Sequence, residues 1–192
     1  MNILYIHGFN SGKGQKAIDL EKAGFNVYSP QLTNNVKEDI KRLVDLVNEL
    51  KDEDLHIVGC SLGGFYTLVL AHLISSNRNV VFHAINPSMT PYISLKKDLN
   101  NTLINFKTKV KFTVTQSFLD DLKEAGKQIN LIDQHKFEQV LFYFGSEDTV
   151  LDHSKTIEWI NHFKITSKVI TSKQDHRFQD ISTVIHEINE LR

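Results

Sequence analysis

Short apolar runs alternate with longer amphipathic stretches along the 192-residue chain. Runs that are apolar at nearly every position are typical of buried strands, whereas apolar positions three and four residues apart are typical of helices. The pattern predicts strands at Asn2–Ile6, Phe25–Ser29, Leu55–Val58, Val80–Ile85, Val140–Phe144 and Lys168–Thr171. It predicts helices at Gln15–Ala23, Val36–Leu50, Leu62–Ser76, Ser154–Phe163 and Ile181–Leu191.

Strands that alternate with helices form βαβ units, and such units build a mostly parallel sheet with helices on both faces. We therefore expect one α/β domain over residues 1–192, with a sheet of about six strands. Residues 88–139 interrupt the alternation and are too many for a simple connection. Within them the pattern predicts a helix at Tyr92–Leu99, an alternating segment at Lys109–Thr115 and a helix at Phe118–Ile129. We interpret 88–139 as a lid-like insertion packed over the strand ends.

Composition and charge exclude several functional classes. The chain has 22 basic and 23 acidic residues and a formal net charge of −1, which gives no electrostatic reason to expect a nucleic acid or an anionic membrane as a partner. The single cysteine, Cys60, excludes an internal disulfide. The first apolar run is too short for a signal-peptide core, and none approaches the roughly 20 residues of a membrane span. We expect a cytoplasmic protein without a nucleic-acid or membrane partner.

The most specific motif is Gly59-Cys60-Ser61-Leu62-Gly63, which matches G-x-S-x-G between a predicted strand and a predicted helix. In α/β-hydrolases this tight turn holds a nucleophilic serine in a strained backbone conformation, and glycines leave room for it. The pattern therefore predicts Ser61 as the nucleophile. The alternatives are a glycine-rich turn without chemistry, and Cys60 as a thiol nucleophile, although a free cysteine is more often a small buried residue.

The loop after the first strand, from His7 to Gly14, is a candidate for the rest of the site. If the third strand pairs with the first, the backbone N–H groups of Phe9 and Leu62 form an oxyanion hole beside the nucleophile. We interpret His7 as structural. The same loop resembles a phosphate-binding loop, but its spacing before Lys13 is one residue short, and Gly14 stands where serine or threonine would hold magnesium.

A serine hydroxyl needs a base, and α/β-hydrolases carry the nucleophile, the acid and the histidine in that order along the chain. His176 follows the last predicted strand, and Asp148 follows the strand before it. We predict His176 as the general base and Asp148 as the carboxylate that orients it. Glu147 and Asp152 remain alternatives, because any of the three carboxylates suits the N-terminus of the next helix. No metal-binding motif links these residues with His153, so neither a metal nor another cofactor is expected.

Several of these segments together resemble one family, the small bacterial esterases called YqiA-like, almost from end to end. The segments that carry the resemblance are His7–Ser11, Gly59–Tyr66, Asn86–Ser88, Asp148–Asp152 and Asp175–Phe178. The resemblance implies an α/β-hydrolase fold, hydrolysis of carboxylic esters, and a Ser-Asp-His triad at Ser61, Asp148 and His176. The chain departs from the family where Cys60 replaces a small residue such as serine and where the Gly145–Thr149 loop is longer.

The motifs and the resemblance together predict a serine hydrolase that forms an acyl-enzyme from a small-molecule ester. A thioester suits the same machinery, so an acyl thioesterase is the nearest alternative. A binding protein without activity is a further alternative, since a fold alone does not determine activity. We also expect some apolar residues of the insertion to shape the acyl pocket, with Tyr92, Ile93, Leu103, Phe106, Phe112 and Phe118 as the candidates.

Overall fold

The residues that the structure describes include eight strands, six of which coincide with the apolar runs of the sequence. The computed structural model describes residues 1–50, 54–74, 79–132, 134–162, 165 and 167–191. The strands are β1 (Asn2–Ile6), β2 (Asn26–Tyr28), β3 (Leu55–Cys60), β4 (Val80–Ile85), β5 (Thr102–Ile104), β6 (Lys111–Thr113), β7 (Val140–Gly145) and β8 (Lys168–Ser172). Six of them form one sheet in the order β2-β1-β3-β4-β7-β8, and all its pairs are parallel. The predicted mostly parallel sheet of about six strands is confirmed.

Helices connect these strands. They are α1 (Gln15–Lys22), α2 (Val36–Glu49), α3 (Leu62–Leu73), α4 (Pro91–Ser94), α5 (Gln116–Lys127), α6 (Gln134–Phe137), α7 (Ser154–His162) and α8 (Ser182–Glu190). Short 3-10 turns cover Lys96–Asp98 and Gln128–Leu131. Across the described part of the chain, no helix has both the length and the apolar character that crossing a membrane would require.

The sheet is covered on both faces, because its strands alternate their side chains between two apolar cores. In β1, Leu4 and Ile6 join the core built with α2, α3 and α5. Ile3 and Tyr5 join the opposite core, which is built with α1 and α8. Ten of the twelve residues of α3 are buried, so this helix, which follows the candidate nucleophile, lies in the interior.

Most predicted elements are present with ends shifted by one or two residues. The largest shift that affects the site is in β3, which continues through Gly59 to Cys60 because these residues pair with Ala84 and Ile85 of β4. A glycine-rich motif hides this pairing in the sequence, since it reads as a turn. The ends predicted at Ser76 and Phe163 fall outside the described residues.

The segment between β4 and β7 differs more from its prediction. The helix predicted at Tyr92–Leu99 is two short pieces, α4 and the following 3-10 turn. The alternating segment contains β6, which pairs antiparallel with β5. That partner was not predicted, because three residues are too few for a recognisable period. Helix α5 begins two residues earlier than predicted, since the Thr115 side chain accepts a hydrogen bond from the Phe118 N–H and caps it.

Candidate active site

The site lies where the strand order reverses. The chain runs from β1 outward to β2 and then returns to β3 on the other side of β1. At such a point the loops after the two central strands separate and leave a crevice at the carboxyl edge of the sheet. Strand β3 pairs with β1 up to Ile6 and Gly59, which satisfies the condition on which the predicted oxyanion hole depends. A side-chain carbon added at Gly8 would lie 3.5 Å from Cβ of Ser61.

The turn from β3 into α3 holds Ser61 in an unusual backbone conformation, with φ 58° and ψ −116°. Non-glycine residues rarely adopt a positive φ, and such strain persists only where the surroundings enforce it. Here the Ser61 N–H donates to the Ile85 carbonyl at 2.9 Å, and the Ser61 carbonyl accepts from the Ser88 N–H at 3.1 Å. A side chain at Gly63 would collide with the Ile6 carbonyl oxygen, so the close approach of strand and helix requires glycine there.

Three predicted side chains meet at this turn. The Nε2 atom of His176 lies 3.1 Å from Oγ of Ser61, and its Nδ1 atom lies 2.8 Å from Oδ2 of Asp148. With a proton on Nδ1, the ring donates to the carboxylate and accepts the serine hydroxyl hydrogen at Nε2. The Asp148 side chain is 1% exposed and that of His176 is 22% exposed. A buried carboxylate, a partly exposed imidazole and a serine hydroxyl therefore form one hydrogen-bonded line.

The surroundings of Asp148 keep its carboxylate ionised. Burial raises its pKa, but hydrogen bonds from the Leu151 N–H, from His176 and from the Val150 N–H outweigh burial, so the pKa is lower than usual. Oδ1 accepts from both backbone N–H groups, at 3.0 and 2.8 Å. The carboxylate is thus held from one side and presents its other oxygen to the imidazole.

The other two candidate acids lie elsewhere. Asp152 accepts a 3.0 Å hydrogen bond from the Ser154 N–H, and contacts with Ser154 lower its pKa. Glu147 lies 3.8 Å from Lys173 in an exposed ion pair. Of the three carboxylates that the sequence leaves open, Asp148 is the one that contacts His176.

A second histidine, His153, also contacts Asp148, and the sequence did not predict this contact. His153 Nε2 donates to the same Oδ2 atom at 2.8 Å, and its ring packs on Phe144 with 4.8 Å between ring centroids. Its Nδ1 atom is buried and has no hydrogen-bond partner among the residues that the structure describes. The sequence offers no signal for this contact, because five residues in a loop do not indicate which side chains turn back toward each other.

Asn86 connects the two loops that carry the acid and the histidine. Its amide donates to the carbonyl oxygens of Asp175 and His176, both at 3.2 Å, and its Oδ1 accepts from the Gly145 N–H at 2.8 Å. The residue is fully buried and has φ 41°. Asn86 belongs to a motif noted in the sequence, but its role depends on β4 lying beside β7 and could not be assigned from the sequence.

The two residues predicted to supply the oxyanion donors lie in the wall of the same cleft as Ser61. Phe9 and Leu62 both line it, and neither backbone N–H donates a hydrogen bond elsewhere within the described residues. Buried His7 fixes the start of the loop, because Nδ1 contacts the Gly8 carbonyl at 2.8 Å and Nε2 accepts from the Leu32 N–H at 3.1 Å. Its burial lowers its pKa, which keeps the ring neutral for both bonds.

The insertion supports this loop. The ring of Phe9 packs against Phe118, with 6.0 Å between centroids, and against Phe112, with 6.2 Å. The β5–β6 hairpin adds hydrogen bonds, since Asn105 donates to the Ser11 carbonyl at 2.8 Å. Among the predicted pocket residues, Phe112 and Phe118 therefore belong to the support of the loop, and Leu103 packs against the core beside them.

Two connected cavities open at the site. The larger, of about 930 Å³, contains Ser61, His176 and Phe106 in its wall. The smaller, of about 460 Å³, has Tyr92 and Ile93 in its wall. The two cavities share Ser88, Ser94, Val150 and Leu151. Of the six insertion residues predicted to shape an acyl pocket, Phe106 thus lines the cleft at Ser61, and Tyr92 and Ile93 line the adjoining cavity.

The competing chemistries find less support in the geometry. The ammonium group of Lys13 pairs with Glu21 at 2.5 Å, so it is engaged outside any phosphate site. Burial raises the pKa of the Cys60 thiol, which disfavours the reactive thiolate. Within the described ranges, no three His, Cys, Asp or Glu residues are grouped so as to hold a metal ion.

Comparisons with known proteins agree with this architecture. The sequence profile of a family described as "Uncharacterised protein family (UPF0227)" matches residues 2–192. No curated protein matches the sequence.

Solved structures with the same fold include proteins described as lipolytic enzymes or lipases. A structure of the metagenome-derived lipolytic enzymes LipS and LipT shares 18% identity at a TM-score of 0.71, covering 98% of this chain and 93% of that one. A monoacylglycerol lipase from Paleococcus ferrophilus shares 14% identity at a TM-score of 0.68, and the match covers 100% of this chain and 95% of that one. Mouse alpha/beta hydrolase domain-containing protein 10 shares 18% identity at a TM-score of 0.67, and the match covers 99% of this chain and 88% of that one. The chain therefore has the α/β-hydrolase fold that its sequence predicted.

Proposed function

The chain belongs to the UPF0227 family, that of the YqiA-like esterases, and from this premise we propose that it is a serine hydrolase that cleaves carboxylic esters through an acyl-enzyme on Ser61. The observation that carries the proposal is the line from Ser61 Oγ to His176 Nε2, at 3.1 Å, and from His176 Nδ1 to Asp148, at 2.8 Å. A nucleophile, a base and a group that orients the base are the parts that acyl transfer needs.

The proposed reaction begins with proton transfer from Ser61 Oγ to His176 Nε2 while Oγ attacks the ester carbonyl carbon. The negative charge that develops on the carbonyl oxygen is stabilised by the N–H groups of Phe9 and Leu62, aided by the N-terminus of α3. Asp148 stabilises the imidazolium through Nδ1. His176 then returns the proton to the departing alkoxide, and the alcohol leaves with the C–O bond broken.

The second half of the reaction uses the same groups with water as the nucleophile. His176 removes a proton from water, the hydroxide attacks the acyl-enzyme carbonyl, and the tetrahedral intermediate forms again in the hole at Phe9 and Leu62. Collapse breaks the bond between Oγ and the acyl carbon and releases the carboxylic acid, while His176 returns the proton to Oγ and so restores the Ser61 hydroxyl. No additional cofactor is needed in this scheme.

Covalent labelling tests the proposal directly. A fluorophosphonate probe should attach to Ser61, and peptide mass spectrometry should locate the adduct there. The Ser61→Ala variant should lose labelling and hydrolysis, whereas Ser88→Ala, which changes another serine of the cleft wall, should retain both. Labelling on Cys60, or labelling that survives in Ser61→Ala, would contradict the proposal, and the absence of any labelling would favour a binding protein.

A substrate panel then distinguishes the two hydrolase activities. We expect short 4-nitrophenyl esters to be hydrolysed with a burst of one nitrophenolate per Ser61 when deacylation is the slower step. Matched acyl thioesters with the same acyl chain form the second arm. A kcat/KM for thioesters that exceeds the ester value throughout the panel would replace the esterase assignment by the thioesterase alternative.

A further inference from the structure

The wall of the cleft at Ser61 carries an excess of positive charge, and we infer that its natural substrate is an ester or thioester that carries a carboxylate or phosphate group near the reacting carbonyl. This inference deepens the proposed function and rests on it. The cavity of about 930 Å³ has Lys16, Lys97, Lys107 and Arg177 in its wall, against a single acidic residue, Asp98. Since the whole chain has a formal net charge of −1, this excess is local.

The basic groups of the wall are not neutralised by the protein. Among the residues that the structure describes, Lys97, Lys107 and Arg177 take part in no ion pair. The Lys16 ammonium donates to the main-chain carbonyl of Arg177 at 2.5 Å, and a neutral acceptor leaves its charge in place. An isolated surface lysine is usually just solvated. Four unpaired cations around one nucleophile make a field that attracts an anion.

These charges come from separate parts of the fold. Lys16 lies in α1, Lys97 in the 3-10 turn after α4, Lys107 in the tip of the β5–β6 hairpin, and Arg177 directly after the proposed base. One helix with a polar face would place its lysines along a single surface. Here three regions that are distant in sequence, which carry Lys16, the pair Lys97 and Lys107, and Arg177, converge on one cavity, which favours a shared ligand over chance exposure.

Lys107 has the best-defined position of the four. Asn105 Oδ1 accepts from the Lys107 N–H at 2.8 Å, and Asn105 Nδ2 donates to the Ser11 carbonyl at 2.8 Å. A side-chain carbon added at Gly12 would lie 3.2 Å from Cβ of Lys107. The hairpin tip is thus fixed against the loop that carries the proposed oxyanion donor Phe9, and it places the Lys107 stem at the entrance to the nucleophile.

The adjoining cavity offers a different environment. Met89, Tyr92, Ile129 and Trp159 contribute apolar surface to its wall. Two of its three lysines have acidic neighbours, because Lys127 pairs with Glu124 at 2.5 Å and Lys155 lies close enough to Asp152 to lower the pKa of that carboxyl. The smaller cavity is therefore the more apolar of the two, and we assign the anionic group to the larger one.

Matched ester pairs that differ in one charge test the inference. The first pair is 4-nitrophenyl butyrate and mono-4-nitrophenyl succinate, with the anion in the acyl part. The second is methyl 4-acetoxybenzoate and 4-acetoxybenzoate, with the anion in the leaving group. After kcat/KM is divided by each ester's rate of alkaline hydrolysis, the anionic ester should have the higher value in at least one pair. The pair with this preference shows whether the anion belongs to the acyl part or to the leaving group. Raising the salt concentration from 0.05 to 0.5 M should reduce the preference.

The Lys97→Gln/Lys107→Gln variant should lower the preference by about fourfold to twenty-fivefold, since an exposed charge contributes about two- to fivefold. The control is Lys96→Gln/Lys111→Gln, which removes neighbouring lysines outside both cavity walls and should keep the parent preference. An equal loss in the control, or no preference for the anion in either pair, overturns the inference.

Fluorophosphonate labelling separates this test from that of the proposed function. The probe is uncharged, so the Lys96→Gln/Lys111→Gln control should label at Ser61 as fast as the parent, within about twofold. If the parent protein labels at Ser61 but shows no preference for the anionic ester, this inference is wrong and the proposed function stands. If the parent protein does not label, the proposed function fails as well.

Discussion

His56 and His83 lie within β3 and β4, whereas His153 and His176 lie in loops beyond the carboxyl ends of β7 and β8. The first two form a buried chain in which His56 Nδ1 lies 2.9 Å from His83 Nε2, and His83 Nδ1 lies 2.8 Å from the Tyr143 hydroxyl. The second two both contact one carboxylate oxygen, Oδ2 of Asp148. The same side chain therefore occurs twice as a pair, in two different settings.

The difference between the pairs is the group that can balance a positive charge. Burial, and then the neighbouring imidazole of His56, hold the pKa of His83 well below its usual value. That ring therefore stays neutral, and it contributes packing and hydrogen bonds. His176 is partly exposed and faces an ionised carboxylate. A histidine in a protein becomes useful as a base when a carboxylate stabilises its protonated form and a substrate can reach its other nitrogen.

The largest expected effect is the loss of the proposed base. His176→Gln should lower kcat/KM for 4-nitrophenyl butyrate by about 10⁴-fold or more, because removing one member of a triad disables the rest. His186→Gln, at an exposed position of α8, is the control and should retain the parent rate. A His176→Gln protein with more than a tenth of the parent activity would refute the assignment of this histidine.

Asp148 should come next in magnitude. Asp148→Asn should lower kcat/KM by about 10²- to 10⁴-fold, since an amide neither stabilises the imidazolium nor selects the tautomer with a proton on Nδ1. Asp152→Asn should remain within about threefold, because that carboxylate contacts Ser154 instead. The two variants can be compared in the same esterase assay, and a reversal of their order would move the triad acid to Asp152.

The buried pair should affect stability and leave the chemistry intact. His83→Phe should lower the free energy of unfolding by about 2–4 kcal/mol at pH 8, because His56 and Tyr143 each lose a buried hydrogen-bond partner. The activity of the remaining folded protein should be unchanged. Urea titration gives the stability, and Ser61 labelling gives the active fraction.

The pH dependence of stability gives this comparison a second measurement. The folded pKa of His83 lies well below that of the unfolded chain, so below about pH 6.5 the unfolded state binds more protons and stability falls with decreasing pH. The groups that face this ring are His56 and Tyr143. His83→Phe removes one such site, so its stability should fall less steeply between pH 6.5 and 5 than that of the parent. An unchanged slope would contradict the neutral state of His83.

His153 should have the smallest effect on the reaction. His153→Phe leaves Oδ2 of Asp148 to His176 alone and removes a buried nitrogen that has no partner in the described residues. We expect kcat/KM for 4-nitrophenyl butyrate to change by less than about tenfold, because the hydrogen bond between Asp148 and His176 remains. A loss comparable to that of Asp148→Asn would instead make His153 essential for positioning the carboxylate.

Much of this fold and site could be predicted from the sequence, because both depend on local patterns. Apolar runs predict the strands, and the loops that follow strand ends carry Ser61, Asp148 and His176, which the structure brings together. What the sequence missed depends on contacts between distant segments. The short strand β5 becomes recognisable beside β6, and Asn86 acquires its three hydrogen bonds when the loops after β7 and β8 come together over it. The contact of His153 with Asp148 likewise requires the loop to be folded.

The backbone conformation of Ser61 implies a trade-off between thermal stability and hydrolytic activity. A φ of 58° with ψ of −116° is a conformation that glycine adopts easily and serine adopts at a cost of about 1–3 kcal/mol. Ser61→Gly should therefore unfold at a higher temperature than Ser61→Ala, although both lack the proposed nucleophile. Directed evolution that selects for thermal stability alone would therefore favour replacement of Ser61. A selection for more stable variants has to include a screen for hydrolysis in every round.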